Sequence, residues 1–289
     1  MQYGEYDEET LYILHEIELE ILRDFLYICK KYDLTYFGFA GTAIGALRHK
    51  GFIPWDDDID VCMPRRDYNK FIKAAKKEFP DKYTVMNAEE NEAFPLTTTR
   101  WMLKGTAFRE ESLKDVDCEL GIFLDIYPFD NVADYEPSYK KQAFDAWVCS
   151  KILILLSVPE PVLAFDGLKA CVIKAVCRAA HWVLNAMHIS KRGVYLRCKL
   201  AMTRYNKVHT KRISYLCSTD RYCHTVALED LYPLRQEPFE GLMLNFPANV
   251  EKMLSQMHPD FMTLPPEDKR KNHYPYELDF GIYGSKYNK

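Results

Sequence analysis

Four aspartates fall within five positions, at Asp56, Asp57, Asp58 and Asp60, just after a loop that carries Arg48, His49 and Lys50. Two carboxylates about 4 Å apart repel by roughly 4 kcal/mol at an intermediate dielectric, so acids this dense call for a cation. Asp58 and Asp60 belong to D-I-D-V-C-M, an alternation that predicts a strand over 58–63 with both carboxylates on one face. So placed, they can share one Mg²⁺ or Mn²⁺, or bridge two such ions. Asp56 and Asp57 precede the strand and are expected to shape or cap the loop. A lone D-x-D is most often a pair of solvated turn acids. The features around this one argue for metal binding: a Gly-Thr turn before it, a basic loop and a following apolar strand.

Gly41-Thr42 lies between a short apolar run, 36–40, and a helical piece over 43–47. Backbone N–H groups at a strand-to-helix turn are placed to hold a phosphate, and glycine lets it come close. Arg48 and Lys50 are candidate phosphate ligands, the arginine by bidentate contact; solvated loop charge is the alternative. Asp125 interrupts the apolar run Ile122, Phe123, Leu124 and Ile126, where an unpartnered acid would be costly. It is a third metal ligand, a general base for a hydroxyl, or a carboxylate bonded to nearby backbone. Arg100 and Lys104 flank Trp101 on an expected strand, completing a phosphate cage or forming surface salt bridges. Trp55 offers a ring for a quaternary ammonium or for sugar stacking.

The elements that must position these residues read as follows. Asp7 caps a helix that runs to about residue 31, with Leu14, Ile17, Ile21, Phe25 and Ile28 as its apolar stripe. Pro64 opens a second helix at its first position, with Tyr68, Phe71, Ile72 and Ala75 inward. Further strands are expected over 83–86, 97–103 and 121–127. The pattern from 137 to about 206 is helical, and the rest is mixed. The fold class is therefore α+β: a small mixed sheet flanked by helices, with a helical subdomain. One domain spans 1–289, with a core over 1–135, a helical part over 137–206 and a C-terminal part, 207–289, that packs back on the core.

The chain has 289 residues, 48% hydrophobic and 28% charged, which excludes a disordered chain or a fibre. The net charge of −4 gives no basic field for nucleic acid. Nine cysteines at irregular spacing, with no C-x-x-C, suit reduced thiols in a cytosol. Cys217, Cys223 and His224 lie close in sequence but match no standard zinc pattern. No signal peptide or membrane-spanning stretch is present, so a cytoplasmic location is expected, with peripheral contact at the inner face of a membrane as its variant. The stretch 162–187 reads as an amphipathic helix with a partly basic polar face. It either packs on the core or touches a membrane or lipid-linked substrate.

The Gly-Thr turn before a D-x-D strand resembles the nucleotidyltransferase fold. The longer block G-T-A-I-G-A-L-R-H-K-G-F-I-P-W-D-D-D-I-D resembles the signature of the LicD family, the lipopolysaccharide cholinephosphotransferase-like proteins. The blocks 121–130 and 264–270 with His273, and the segment 239–257, fit the family in the same order; the stretch 137–206 carries no recognised motif. The resemblance implies a transferase that moves a phospho-alcohol, often phosphocholine, from CDP-choline or another CDP-alcohol to a glycan hydroxyl, releasing CMP. The acceptor would be a cell-surface glycan such as lipopolysaccharide or teichoic acid, or its lipid-linked precursor. It implies that Asp58 and Asp60 ligate a metal on the donor diphosphate, to which Asp125 is the candidate third carboxylate. It also implies that Lys269, Arg270 and His273 fold back onto the nucleotide. Two other readings remain. A D-x-D glycosyltransferase usually sets a nucleotide-binding unit before its acids, yet only 57 residues precede Asp58 here. A non-catalytic glycan- or choline-binding module would not need the acids.

Overall fold

The computed structural model describes residues 5–163, 167–267, 270 and 272–287. Helix α1 (Glu8–Tyr32) begins where the Asp7 carboxylate accepts from the Thr10 N–H at 2.8 Å, with Glu8 and Glu9 at the positive end of the helix dipole. Leu14, Ile17, Ile21, Leu22, Phe25 and Ile28 are fully buried. Each such side chain contributes about 1.5–3 kcal/mol by leaving water.

Next come β1 (Phe37–Gly38), α2 (Ala40–Arg48), β2 (Asp60–Pro64), α3 (Arg65–Glu78), β3 (Tyr83–Met86), β4 (Thr99–Leu103), β5 (Ala107–Glu110) and β6 (Phe123–Val132). Three helices follow, α4 (Glu136–Ser157), α5 (Leu168–Ala186) and α6 (Lys191–Met202). The chain returns through β7 (Arg212–Ser214), β8 (Thr225–Ala227), α7 (Leu228–Leu231), β9 (Arg235–Phe239), β10 (Leu242–Phe246), α8 (Val250–Met257), β11 (Pro275–Asp279) and α9 (Gly284–Tyr287).

The main sheet has the order β1-β2-β6-β4-β3, and β7 joins β6 and carries β8. Strands β2 and β6 are parallel, while the other neighbours are antiparallel. This is the expected α+β class, a small mixed sheet flanked by helices. One apolar core runs from Ile13 in α1 through the sheet to Leu254 in α8. Beneath it, the buried Arg65 donates from Nε and Nη2 to the two oxygens of Asp130 at 2.8 and 2.6 Å. This fork ties the start of α3 to β6.

Several boundaries differ from the expected ones. The strand begins at Asp60, not Asp58, because pairing with β6 starts where the Asp125 N–H donates to the Ile59 carbonyl at 3.1 Å. Asp58 stays in the preceding loop. The 36–40 strand shrinks to Phe37–Gly38, since Ala40 turns to a φ of 41° and starts α2. Pro64 caps α3 rather than filling its first position. The strand expected over 121–127 extends to Val132 because β7 pairs with Asp130, Asn131 and Val132. Among the described residues, no helix is long and apolar enough to cross a membrane.

Candidate active site

Sheet register assembles the centre. The parallel pairing of β2 with β6 sets Asp60 beside Asp125, and the antiparallel pairing of β4 with β6 sets Arg100 against Asp125 from the other side. All three are buried. Arg100 Nη2 donates to Glu110 at 2.7 Å, its Nε lies 3.9 Å from Asp125 Oδ2, and its guanidinium stacks over Phe123 at 3.9 Å. Asp60 Oδ1 and Asp125 Oδ1 are buried oxygens without a hydrogen-bond partner. Buried polar atoms nearly always have one, so two vacant acceptors on adjacent strands mark a place for a cation or a donor group.

The loop before β2 brings the other acids. Asp57 is fully buried and fully used: it accepts from the Tyr6 hydroxyl at 2.7 Å and from the His273 N–H at 2.8 and 3.1 Å. Those bonds fasten the N-terminal segment and the segment before β11 to the loop. His273 Nδ1 lies 3.3 Å from Asp58 Oδ2 and 3.5 Å from Asp57 Oδ1. Among the described residues, the metal-type ligand atoms that converge to within 4.8 Å are those of Asp57, Asp58 and His273. The expected trio of Asp58, Asp60 and Asp125 is split between this loop and the two strands.

Electrostatics follow from burial. Burial raises the proton affinity of Asp56, Asp58, Asp60 and Asp125, and repulsion between neighbouring acids adds to it. Asp125 is pushed up to about 6, with Arg100 holding it back. His273, only half-buried, gains rather than loses proton affinity. Burial opposes its charge, but Asp58, Asp57 and Glu110 outweigh that and raise its pKa well above the ordinary value. A protonated His273 therefore supplies the positive charge that the loop acids lack.

The remaining expected residues separate. Thr42 is buried, and its hydroxyl accepts from the Asp60 N–H at 2.8 Å, which fixes the start of β2. At Gly41 the absent Cβ leaves room for Asp56, whose Oδ2 would lie 2.3 Å from such an atom. A carboxylate rather than a phosphate thus faces the first turn of α2, and a phosphate reaches it only if Asp56 moves. Arg48 donates to the carbonyls of Phe261 and Thr263 at 2.8 and 3.3 Å, so it holds the C-terminal segment. Lys50 is exposed, 3.9 Å from Glu237. The Trp55 ring is covered by Arg270 at 4.5 Å. Lys104 donates to the Pro80 carbonyl, away from the acids, and Lys269 lies outside the described residues. Cys217 approaches Cys198 at 3.5 Å while Cys223 donates to the Asp220 carbonyl, so the suggested zinc set does not converge.

Beside His273 opens a pocket of about 460 Å³, lined by Leu96, Glu110, Leu113, Val158, Tyr274 and Tyr276 among others. Its walls are mostly apolar, with carboxylates at Glu110 and Glu111.

A family model described as LicD/FKTN/FKRP, nucleotidyltransferase domain, matches residues 33–147. Over 275 residues the chain is 26% identical to lipopolysaccharide cholinephosphotransferase LicD of Haemophilus influenzae, covering 90% of this chain and 94% of that protein. The chain is thus similar to the LicD family, through that domain and, at lower identity, along most of its length. A shorter likeness, 35% over 48 residues, joins it to an uncharacterized protein of Rickettsia prowazekii, covering 17% of this chain and 18% of the other. The LicD nucleotidyltransferase match contains Asp58, Asp60, Arg100 and Asp125, whereas Tyr6, Glu18 and His273 lie outside it.

Glu18 is the residue that sequence reasoning missed. It projects from α1 into the acid cluster, fully enclosed, and its Oε2 has no hydrogen-bond partner. Burial raises its proton affinity well above the usual carboxylate range, and Asp58, Asp57, Asp56 and Asp60 raise it further. The signal was present: Leu14, Glu18, Ile21 and Phe25 share one helical stripe, and an acid in an apolar stripe needs a reason.

Proposed function

We propose that this LicD-like chain is a phosphotransferase that moves a phospho-alcohol, phosphocholine first among them, from a CDP-linked donor to a hydroxyl of a cell-surface glycan or its lipid-linked precursor. The observation that carries this reading is the in-register pair Asp60 and Asp125, each with a buried, partnerless oxygen, inside the domain shared with a cholinephosphotransferase. The vacant oxygens, and acids whose proton affinity is raised by burial and mutual repulsion, fit a divalent cation. Asp60 and Asp125 would hold Mg²⁺ or Mn²⁺, which when bound neutralises charge on the donor diphosphate; Asp58, turned to His273 in the loop, would have to move to join them.

The chain's own groups account for the rest. Arg100 braces Asp125 from β4 and is itself held by Glu110. Asp125 is either a metal ligand or, with its pKa near 6, the base that takes the acceptor proton. In the transfer the acceptor oxygen bonds to the phosphorus of the phospho-alcohol, the bond from that phosphorus to the CMP oxygen breaks, and the proton goes to the base. His273, protonated beside Asp58, sits where it can also donate to a phosphate oxygen. A choline head suits the pocket beside it, where Tyr274 and Tyr276 offer ring faces; the carboxylates of Glu110 and Glu111 there are already paired with Arg100 and Lys114. Trp55 is less suited, because Arg270 already occupies its face.

The test is donor turnover by the purified chain with Mg²⁺ and a glycan acceptor. CMP and a phospho-alcohol-modified glycan from CDP-choline or CDP-ribitol support the reading. UDP release from UDP-sugars, with no CMP from any CDP-alcohol, would replace it with glycosyl transfer. Glycan binding with no turnover of either donor would leave a binding module. Calorimetric titration of the wild type and of Asp60→Asn with Mn²⁺ tests the cation apart from catalysis.

A further inference from the structure

Helix α5 is turned inside out relative to an ordinary surface helix. Of its 19 residues, only Ala170 is buried. Leu168, Val172, Val176, Trp182, Val183 and, just past its end, Met187 are all exposed, Leu168 by 84% and Trp182 by 67%. At helical spacing these form one continuous outward stripe. A helix draws most of its stability from burying such a face, and an exposed apolar patch of this extent marks an interaction surface.

Charge identifies the partner. Residues 167–219 contain eleven lysines and arginines and no aspartate or glutamate, in a chain whose net charge is −4. Arg178 is paired with Glu160, Lys199 with Glu89, Arg204 with Asp145 and Arg212 with Glu136. Lys174, Lys191, Arg192 and Arg197 have no carboxylate within ion-pair distance among the described residues. An apolar stripe with an indole, carried on a helix that holds Lys174 and Arg178 and no acid of its own, with Lys191 and Arg192 following it and Glu160 as the acid paired to it, matches the interface of an anionic bilayer. There the stripe enters the acyl boundary while the lysines and arginines reach the headgroups.

We propose that α5 docks this protein on an anionic phospholipid surface, lying in the interface without crossing it. The proposal stands apart from the assigned reaction. It has one structural bearing on it: the connector from α4 to α5, through Val158, Pro161 and Val162, lines the same pocket as His273. A docked α5 would bring the mouth of that pocket close to the bilayer.

The test is flotation of the full chain with phosphatidylcholine vesicles and with vesicles containing phosphatidylglycerol. Binding is expected to the anionic vesicles, weakened at least tenfold by the double change Val172→Asp and Val176→Asp. Lys174→Ser and Arg192→Ser are each expected to weaken it about fivefold. Trp182 emission is expected to shift to the blue with anionic vesicles, a change absent in Trp182→Phe. Three results would overturn the proposal. One is no binding by the wild type. A second is equal binding by the Val172/Val176 variant. The third is a dimer in solution that this variant dissociates, which would make a second copy the occupant of the stripe.

Discussion

Residues 56–60 pack four carboxylates into five positions, beneath Glu18 and beside Asp125, whereas the 53 residues from 167 to 219 contain no carboxylate at all. The first region is buried and negative; the second is positive, and its helix α5 is exposed and apolar. Each breaks the usual rule of apolar inside and charged outside, in opposite directions. Such departures cost stability in the isolated chain and are recovered only when the missing partner arrives. On the proposed reading, a cation and a phosphate donor answer the first, and an anionic surface answers the second. The molecule would then divide into a catalytic end, built on three strands in register, and a docking end, held to the rest mainly through α4.

The sharpest way to break this comparison is to neutralise acids in the first region. Asp60→Asn and Asp125→Asn are each expected to lower phospho-alcohol transfer by about 10³-fold or more, the loss of several kcal/mol of transition-state stabilisation. Val172→Asp with Val176→Asp is expected to leave transfer to a soluble acceptor unchanged. Rates measured with a water-soluble glycan decide both. If the α5 variant lost as much as Asp60→Asn, the division of labour would be wrong.

Metal removal with a pH series gives the next largest effect. Asp125 binds its proton more tightly folded than unfolded, with a pKa near 6 against 3.8. Its share of stability is therefore complete below about pH 4 and is lost as pH rises through 6. In EDTA this share is about 3 kcal/mol at most, and Asp56, Asp58, Asp60 and Glu18 act in the same sense. The melting temperature in EDTA should fall from pH 5 to pH 8, and Mg²⁺ should restore it at pH 8. A flat profile in EDTA would mean that the acids are not strained without a cation.

Part of this was legible from sequence because it is local. Alternation in D-I-D-V-C-M gave a strand to within two residues, and the Gly-Thr turn marked the start of a helix. The pairing of Arg100 with Asp125 was not legible, since it depends on β4 lying next to β6, which no local pattern specifies. Arg48 reads as a phosphate ligand until the fold brings the Phe261 and Thr263 carbonyls to it from over 200 residues away. Gly41 reads as a phosphate cradle until Asp56 is seen to fill it. Periodicity identified α5 as amphipathic, but it cannot tell which face turns inward. That depends on α4 covering so little of it.

The smallest expected effects separate the two regions most finely, because they are small for opposite reasons. Glu18→Gln replaces a carboxyl whose burial and acidic neighbours already favour the protonated form. The amide has nearly the same shape and no proton to lose, so stability at pH 4, where the carboxyl is protonated in both the folded and the unfolded chain, should change by less than about 1 kcal/mol. Above that pH the wild type is pressed to ionise among the aspartates and the variant is not, so the variant should gain on it as pH rises. Val176→Glu instead places a charge in water, where surface changes stay within about 0.5 kcal/mol, and its effect should not grow with pH. Melting curves of both variants from pH 4 to pH 9 in EDTA make the distinction. A pH-dependent gain at Glu18 alone places the strain in the acid cluster; equal, flat responses would remove Glu18 from it.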